Sequence, residues 1–347
     1  MKKKDVINLI RFYIEHNDKG FRNEAYSIAT EFDQNGDNEL SEYIVSLLSD
    51  NNVFVPQSIE ENNEFLEKVN YNEDPLPLPT AIKNDVLNIV NAISNPRLGV
   101  NKFLFYGNPG TGKTESVKQI SRITDKLLYS VNFDYIIDSH LGETSKNISK
   151  LFSEINAITN PNKVLILFDE IDAIALNRID QQDVREMGRA VSSVLKGLDQ
   201  LNEKITLVAT TNLYDELDKA LLRRFDKVVD FNGYEKKDLI DIADILLDYY
   251  LKGAIESSKD KRLFDKILNN MQQIPFPGEL KNIIRTSIAF SKPTDKYDYL
   301  RNLYKSCFNK EPNDVEKLRS EGFTLREIET LTGVSRSTAS REMRGVK

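Results

Sequence analysis

The 347-residue chain has little cysteine and little histidine: one Cys307, and only His16 and His140. A lone cysteine excludes an intramolecular disulfide and a cysteine-built zinc site. Two histidines so far apart in the chain argue against a histidine-based metal centre. There is no run of 18 apolar residues, so no membrane-spanning helix is expected. The start, Met1 to Lys4, imitates the charged head of a secretion signal, but Asp5, Arg11 and Glu15 interrupt the stretch behind it, so no apolar signal core forms. A cytoplasmic location is the simplest expectation. Positive charge is also scarce, with 47 Lys/Arg against 54 Asp/Glu and a formal net charge of −7, which excludes a protein that coats nucleic acid generally. What remains, 40% hydrophobic and 29% charged residues, is ordinary globular composition. At about 100–200 residues per domain the length suggests two or three folded units.

The charge is uneven. Residues 1–78 hold 7 Lys/Arg and 16 Asp/Glu, a net of −9, and the remainder is close to neutral at +2. Within residues 1–50, apolar side chains recur at helical spacing over 4–16, 22–32 and 39–48, with Asn35-Gly36 as a turn between the last two. Three such helices make a small bundle that is marginal alone; it reads as a docking module or as a cap completing the fold. Residues 51–78 form an acidic linker ending in Pro75, Pro77 and Pro79 alternating with leucines, which favours extended chain. Over 79–233, predicted helices (80–93, 114–123, 144–158, 183–200) alternate with apolar strands (102–106, 127–131, 164–168, 205–209), the pattern of a parallel sheet covered on both faces, an α/β fold. Over 234–305 the pattern is helical only, with helices at 239–251, 261–269 and 277–290.

Between the first strand and its helix stands GNPGTGKT, residues 107–114. It fits the phosphate-loop pattern in the strand–loop–helix context the pattern requires. Gly107, Asn108, Pro109, Gly110, Thr111 and Gly112 would wrap backbone amides around the phosphates of ATP, aided by the helix N-terminus. Lys113 would contact the β- and γ-phosphates and Thr114 would ligate Mg²⁺. The apolar run 164–168 ends in Asp169-Glu170, the mark of a buried strand whose carboxyl end faces a ligand. Asp169 would belong to the Mg²⁺ shell and Glu170 would polarise the attacking water as general base. The next strand ends in Thr210-Thr211-Asn212; Asn212 is placed to orient that water, or to cap a helix. Arg223 and Arg224 come after an apolar helix, in the order expected of an arginine finger supplied across a subunit interface.

These motifs, with VLILFDEIDAI (164–174), VATTN (208–212) and LDKALLRRFD (217–226), resemble the AAA ATPases, specifically those that remodel proteins as hexameric rings. The resemblance covers roughly residues 76–291. It implies an αβα nucleotide domain over 79–233, a helical lid over 234–305, ATP hydrolysis between subunits of a homo-oligomer, and a protein substrate drawn through a central pore. Ser139 to Thr144 is similar to the family's first pore loop, with His140 at the position usually aromatic and Leu141 beside it. Arg223 and Arg224 lack the Pro-Gly spacer of many relatives, so both are finger candidates, and Arg224 keeps the Arg-Phe-Asp context. Near Phe276-Pro-Gly278, the lid lacks the arginine that some relatives aim at the nucleotide, and Lys281 is its substitute candidate. The N-terminal run resembles bacterial AAA ATPases encoded beside a subtilisin-like serine protease, associated with phage defence and plasmid incompatibility, which implies a protease partner.

Residues 306–347 read as a separate unit of three short helices, with Thr324 and Ser335 as N-caps. The unit resembles a helix-turn-helix, whose third helix would present Ser335, Arg336, Ser337, Thr338 and Arg341 to DNA. Residues 333–347 carry a net of +3, but 312–347 hold 7 basic and 6 acidic residues, a small electrostatic footprint. DNA contact and protein contact therefore both stay open. A DNA-dependent ATPase, acting as a regulator or assembly factor, is the alternative to protein remodelling.

Overall fold

The computed structural model describes residues 3–14, 18–34, 64–70, 75, 77–95, 99–137, 143–175, 184–252 and 259–345. The chain divides into two compact units, residues 1–63 and 64–347.

In the first unit, α1 (Lys3–Ile14) packs on α2 (Asp18–Gln34). Asn8 Nδ2 donates to Glu24 Oε1 at 2.9 Å, and Ala25, Ile28 and Ala29 are buried at the spacing of one helical face. The third helix expected at 39–48 lies outside the described residues.

The second unit is built on a six-stranded sheet. Its elements run β1 (Leu66–Lys68), α3 (Thr80–Ile93), β2 (Lys102–Tyr106), α4 (Lys113–Ile123), β3 (Leu127–Val131), α5 (Glu143–Asn156), β4 (Val164–Phe168), α6 (Asp172–Ala175), α7 (Val184–Asp199), β5 (Thr206–Thr211), α8 (Lys219–Leu222) and β6 (Lys227–Asp230). The strand order is β1-β3-β4-β5-β2-β6, parallel except for β1, which runs antiparallel to β3. All five residues of β4 are buried, as continuous apolar strands between two helical layers must be. Helix α3 covers one face through Ile82, Val86, Ile89 and Ile93, which join the core with Phe103, Phe105 and Val208. The two edges of the sheet depart from the sequence expectation. β1 falls inside the stretch expected to be linker, and β6 is a strand where none is expected. Both are short and carry charges, Glu67 and Lys68 in one, Lys227 and Asp230 in the other, which suits an edge strand but hides the apolar signal.

Helices α9 (Lys236–Leu251), α10 (Lys261–Asn269), α11 (Pro277–Ala289) and α12 (Asp298–Phe308) come next, then α13 (Val315–Ser320), α14 (Leu325–Thr332) and α15 (Arg336–Gly345). The last three are not a separate body. Leu318, Phe323, Ile328, Leu331 and Ala339 are buried in one continuous core with Leu246, Phe264, Leu303 and Tyr304. The junction is also polar: Lys266 Nζ meets Glu327 Oε2 at 2.7 Å, Tyr304 donates to Glu321 Oε2 at 3.0 Å, and Arg301 Nε donates to the Thr330 carbonyl at 2.9 Å. A sequence pattern shows that each helix is amphipathic but not whose apolar face it meets. Thr324 caps α14 with Glu327 in a reciprocal capping box, as its position suggests. No helix among the described residues is long and apolar enough to cross a membrane.

Candidate active site

The carboxyl ends of β2, β4 and β5 meet at one rim of the sheet, where side chains from neighbouring strands converge. From β2 the chain turns through 107–112 into α4. Gly110 and Gly112 have φ of +78° and +93°, conformations that a Cβ disfavours. Lys113 opens α4, and its ammonium donates to the carbonyls of Gly107 (2.7 Å) and Asn108 (2.9 Å) and to Asn212 Oδ1 (2.8 Å). Burial lowers the Lys113 pKa, while Asp169, Asp172 and Glu170 pull it back up. The cation is thus held where a phosphate chain would pass.

Asp169 Oδ1 accepts from Thr114 Oγ1 at 2.9 Å and from Thr210 Oγ1 at 2.6 Å. The same Thr210 oxygen accepts the Glu170 backbone N–H at 3.0 Å. Glu170 has φ +54°, a left-handed conformation that costs a non-glycine residue about 1–3 kcal/mol and needs such an anchor. Its exposed carboxylate accepts from Asn212 Nδ2 at 3.4 Å. Asn212 therefore spends its side chain on Lys113 and Glu170 rather than on capping a helix; the turn beyond it starts from Leu213, which offers no side-chain cap. Thr210, fully buried, is a site residue that the motifs do not single out; the signal available is a hydroxyl in an otherwise apolar strand.

A cavity of about 260 Å³ joins this polar rim to an apolar end formed by Pro75, Pro77, Ile242 and Leu246, with Lys281 at its wall. The polar end fits Mg²⁺. One hydroxyl (Thr114) and one carboxylate (Asp169) share a direction and are already hydrogen-bonded, and this cation takes one or two protein oxygens and keeps several waters. Between β6 and α9, Tyr234 places its hydroxyl on the Thr111 carbonyl at 2.6 Å. Burial, with Asp238 nearby, raises its pKa and keeps it a donor.

The arginine pair splits. Arg224 lies along Asp199, Nε to Oδ1 at 3.2 Å and Nη2 to Oδ2 at 3.3 Å, and its Nη1 donates to the Ala220 carbonyl at 3.0 Å. Arg223, at the end of α8, is exposed, and its side chain has no hydrogen bond or ion pair among the described residues. Asp226 is occupied structurally, its Oδ2 accepting the backbone N–H groups of Asn101 and Lys102. His140 and Leu141 lie outside the described residues. On α15, far along the chain, Ser335, Arg336, Ser337, Thr338 and Arg341 are exposed. Ser335 Oγ accepts from Thr338 N at 3.3 Å as an N-cap does, and Arg336 Nε pairs with Glu329 Oε2 at 2.8 Å.

A family model described as "ATPase family associated with various cellular activities (AAA)" matches residues 103–232. The uncharacterized AAA family ATPase y4kL of Sinorhizobium fredii is 39% identical over 134 residues, 39% of each chain. Peroxisomal ATPase PEX6 of Yarrowia lipolytica is 34% identical over 162 residues, 43% of this chain and 16% of the relative. The chain thus spans well under half the length of these curated relatives. Among solved structures, a chain of the E. coli MS115-1 HORMA:CdnC:Trip13 complex superposes with a TM-score of 0.55 at 18% identity, covering 71% of this chain and 96% of that one, a likeness of fold. The chain contains an AAA ATPase domain, and residues 103–232 are its matched extent.

Proposed function

We propose that this site hydrolyses ATP with Mg²⁺ and that the chain works as a homo-oligomer, a hexameric ring, that remodels or threads a protein substrate. The observation that carries the reading is the convergence of Lys113, Thr114, Asp169, Glu170 and Asn212 on one cavity from three strand ends. When bound, Mg²⁺ supplies charge neutralisation on the β- and γ-phosphates. Thr114 and Asp169 hold it. Lys113 exchanges its loop carbonyls for phosphate oxygens. Glu170, on the open side of the site, accepts the proton of the attacking water, which Asn212 orients from its position beside that carboxylate. Arg223, not Arg224, is the finger. A finger must leave its own subunit to meet charge developing on a neighbour's γ-phosphate, and Arg224 is occupied by Asp199 and Ala220.

The finer role is delivery of protein to a subtilisin-like serine protease, in phage defence or plasmid incompatibility; the resemblance of the N-terminal run supports it, and His140 and Leu141 would grip the substrate. The second reading, a DNA-dependent ATPase, is favoured by the exposed hydroxyls and Arg341 on α15. Glu170→Gln decides the first point: ATP should be retained and turnover lost, and unchanged hydrolysis would remove Glu170 from its role. The same variant, loaded with ATP and used as bait, should co-purify the substrate and partner. Duplex DNA that stimulates hydrolysis in the wild-type chain would move the assignment to the second reading.

A further inference from the structure

The lid grips the phosphate loop through two hydrogen bonds that no sequence motif announces. The Gly278 N–H, at the start of α11, donates to the Gly110 carbonyl at 2.8 Å. The Tyr234 hydroxyl donates to the next carbonyl, that of Thr111, at 2.6 Å. In a planar trans peptide the N–H points opposite to the C=O. A donor holding the Gly110 oxygen therefore turns the Thr111 N–H away from the lid, and one holding the Thr111 oxygen does the same for the Gly112 N–H. Neither amide donates to any acceptor among the described residues. Left-handed backbone at Gly110 and Gly112 completes the kind of concavity in which successive amides bind an anion.

The contact is specific to these residues. A Cβ at Gly278 would stand 2.9 Å from Gly110 Cα and 3.1 Å from its oxygen, so only glycine brings this amide close enough. The Tyr234 ring is fixed by Phe276, edge on, with centroids 5.8 Å apart, and the two lid contacts are thereby joined to each other.

We propose that Tyr234 is a positioning residue for the polyphosphate of the nucleotide: with the Gly278 amide it braces the Gly110 and Thr111 carbonyls from the lid, so that seating of the lid and affinity for phosphate are one equilibrium. The inference rests on the nucleotide-binding reading above. It gives the lid a route to the phosphates through the loop backbone, without an arginine. By linkage the effect is reciprocal: phosphate in the cradle fixes the peptide planes the lid holds, and so holds the lid.

The test is Tyr234→Phe in the full chain, which keeps the ring and its contact with Phe276. Affinities for ADP and for adenosine are measured by displacement of a fluorescent nucleotide, alongside hydrogen exchange of α11 with and without ADP. Loss of one such bond should raise the Kd for ADP about fivefold, leave the Kd for adenosine unchanged, leave kcat at saturating ATP within about twofold, and reduce the protection that ADP confers on α11. Gly278→Ala should do the same more strongly. An ADP affinity equal to wild type in Tyr234→Phe overturns the brace, and so does an equal loss for ADP and adenosine, which would mark a merely structural role. Failure of the underlying reading looks different: there the wild-type chain does not bind ADP, or Lys113→Ala binds it as well.

Discussion

Thr210→Val removes one oxygen from the centre of the site and almost nothing else. The hydroxyl is fully buried, donates to Asp169 at 2.6 Å and accepts the Glu170 amide at 3.0 Å. Valine fills the same volume, so the strand and its packing should survive. Asp169 keeps Thr114 as a partner, but it loses one hydrogen bond to a charged acceptor, worth about 1.5–3 kcal/mol. The Glu170 backbone loses the contact that fixes its left-handed conformation, although an exposed residue can pass its N–H to water. If that energy is expressed in the transition state, kcat falls about 10- to 150-fold, at about 1.4 kcal/mol per tenfold. The KM for ATP should change little, because the phosphate loop and Lys113 are untouched. Phosphate-release kinetics on wild type, Thr210→Val and Thr210→Ser measure this, with a thermal melt to show that each variant is folded. Serine restores the hydroxyl and should restore most of the rate. A folded Thr210→Val with wild-type kcat would refute the claim that Thr210 sets the geometry of Asp169 and Glu170.

Arg223→Ala should lower kcat about 10³-fold without moving the melting temperature, whereas Arg224→Ala should lower stability by about 1 kcal/mol through the half-exposed pair with Asp199 and the lost bond to Ala220; the reverse pattern would assign the finger to Arg224. In the lid, burial and then the neighbouring Asp244 push the Asp265 carboxyl up to about 6, with Lys261 and Lys259 opposing. A raised folded-state pKa means the folded lid holds that proton more tightly, so its stabilising contribution is complete below the ordinary carboxylate range and is lost as pH rises through about 6. The melting temperature of Asp265→Asn relative to wild type should therefore climb between pH 4.5 and pH 7.5, and a flat difference would refute the shift. Finally, removing residues 312–347 should unfold the lid rather than merely trim it. Leu318, Phe323, Ile328 and Leu331 alone contribute about 1.5–3 kcal/mol each to the shared core, a sum comparable with the ~5–15 kcal/mol that holds a whole domain; a truncated chain that melts like wild type would show the helices to be dispensable.

What the sequence discloses depends on how strongly each position is constrained by a single local pattern. β2, β3 and β4 are bounded by apolar runs between charged or polar residues, and their limits are legible to the residue. Lys113, Thr114, Asp169 and Glu170 are legible because each sits at the tip of such an element. β1 and β6 are not, because an edge strand needs only one or two buried side chains. Thr210 and Tyr234 escape for another reason: their roles lie in hydrogen bonds across 41 and 123 residues of chain, and pairing at that distance leaves no local periodicity. The arginines show the limit of context within a motif. Arg-Phe-Asp draws attention to Arg224, yet Asp199, 25 residues earlier, occupies it.

Long-range packing also changes what the last helices can do. As a separate unit, they would be a reader on a tether, indifferent to the state of the ATPase. Packed as they are, α14 is held to α10 by Lys266 and Glu327, and α13 to α15 share the core of the lid. The lid in turn holds two carbonyls of the phosphate loop. Physical contacts therefore run without a break from Gly110 and Thr111 to α15, and the lid is the element whose equilibrium both ends can bias. Any ligand of α15, nucleic acid or protein, that binds one lid position better than another must change the affinity for ADP by the same factor by which ADP changes its own. The short basic face of α15, already partly neutralised where Glu329 meets Arg336, gives weak binding in one copy. Six copies in a ring would bind through avidity, and nucleotide state would then set how many lids present that face together.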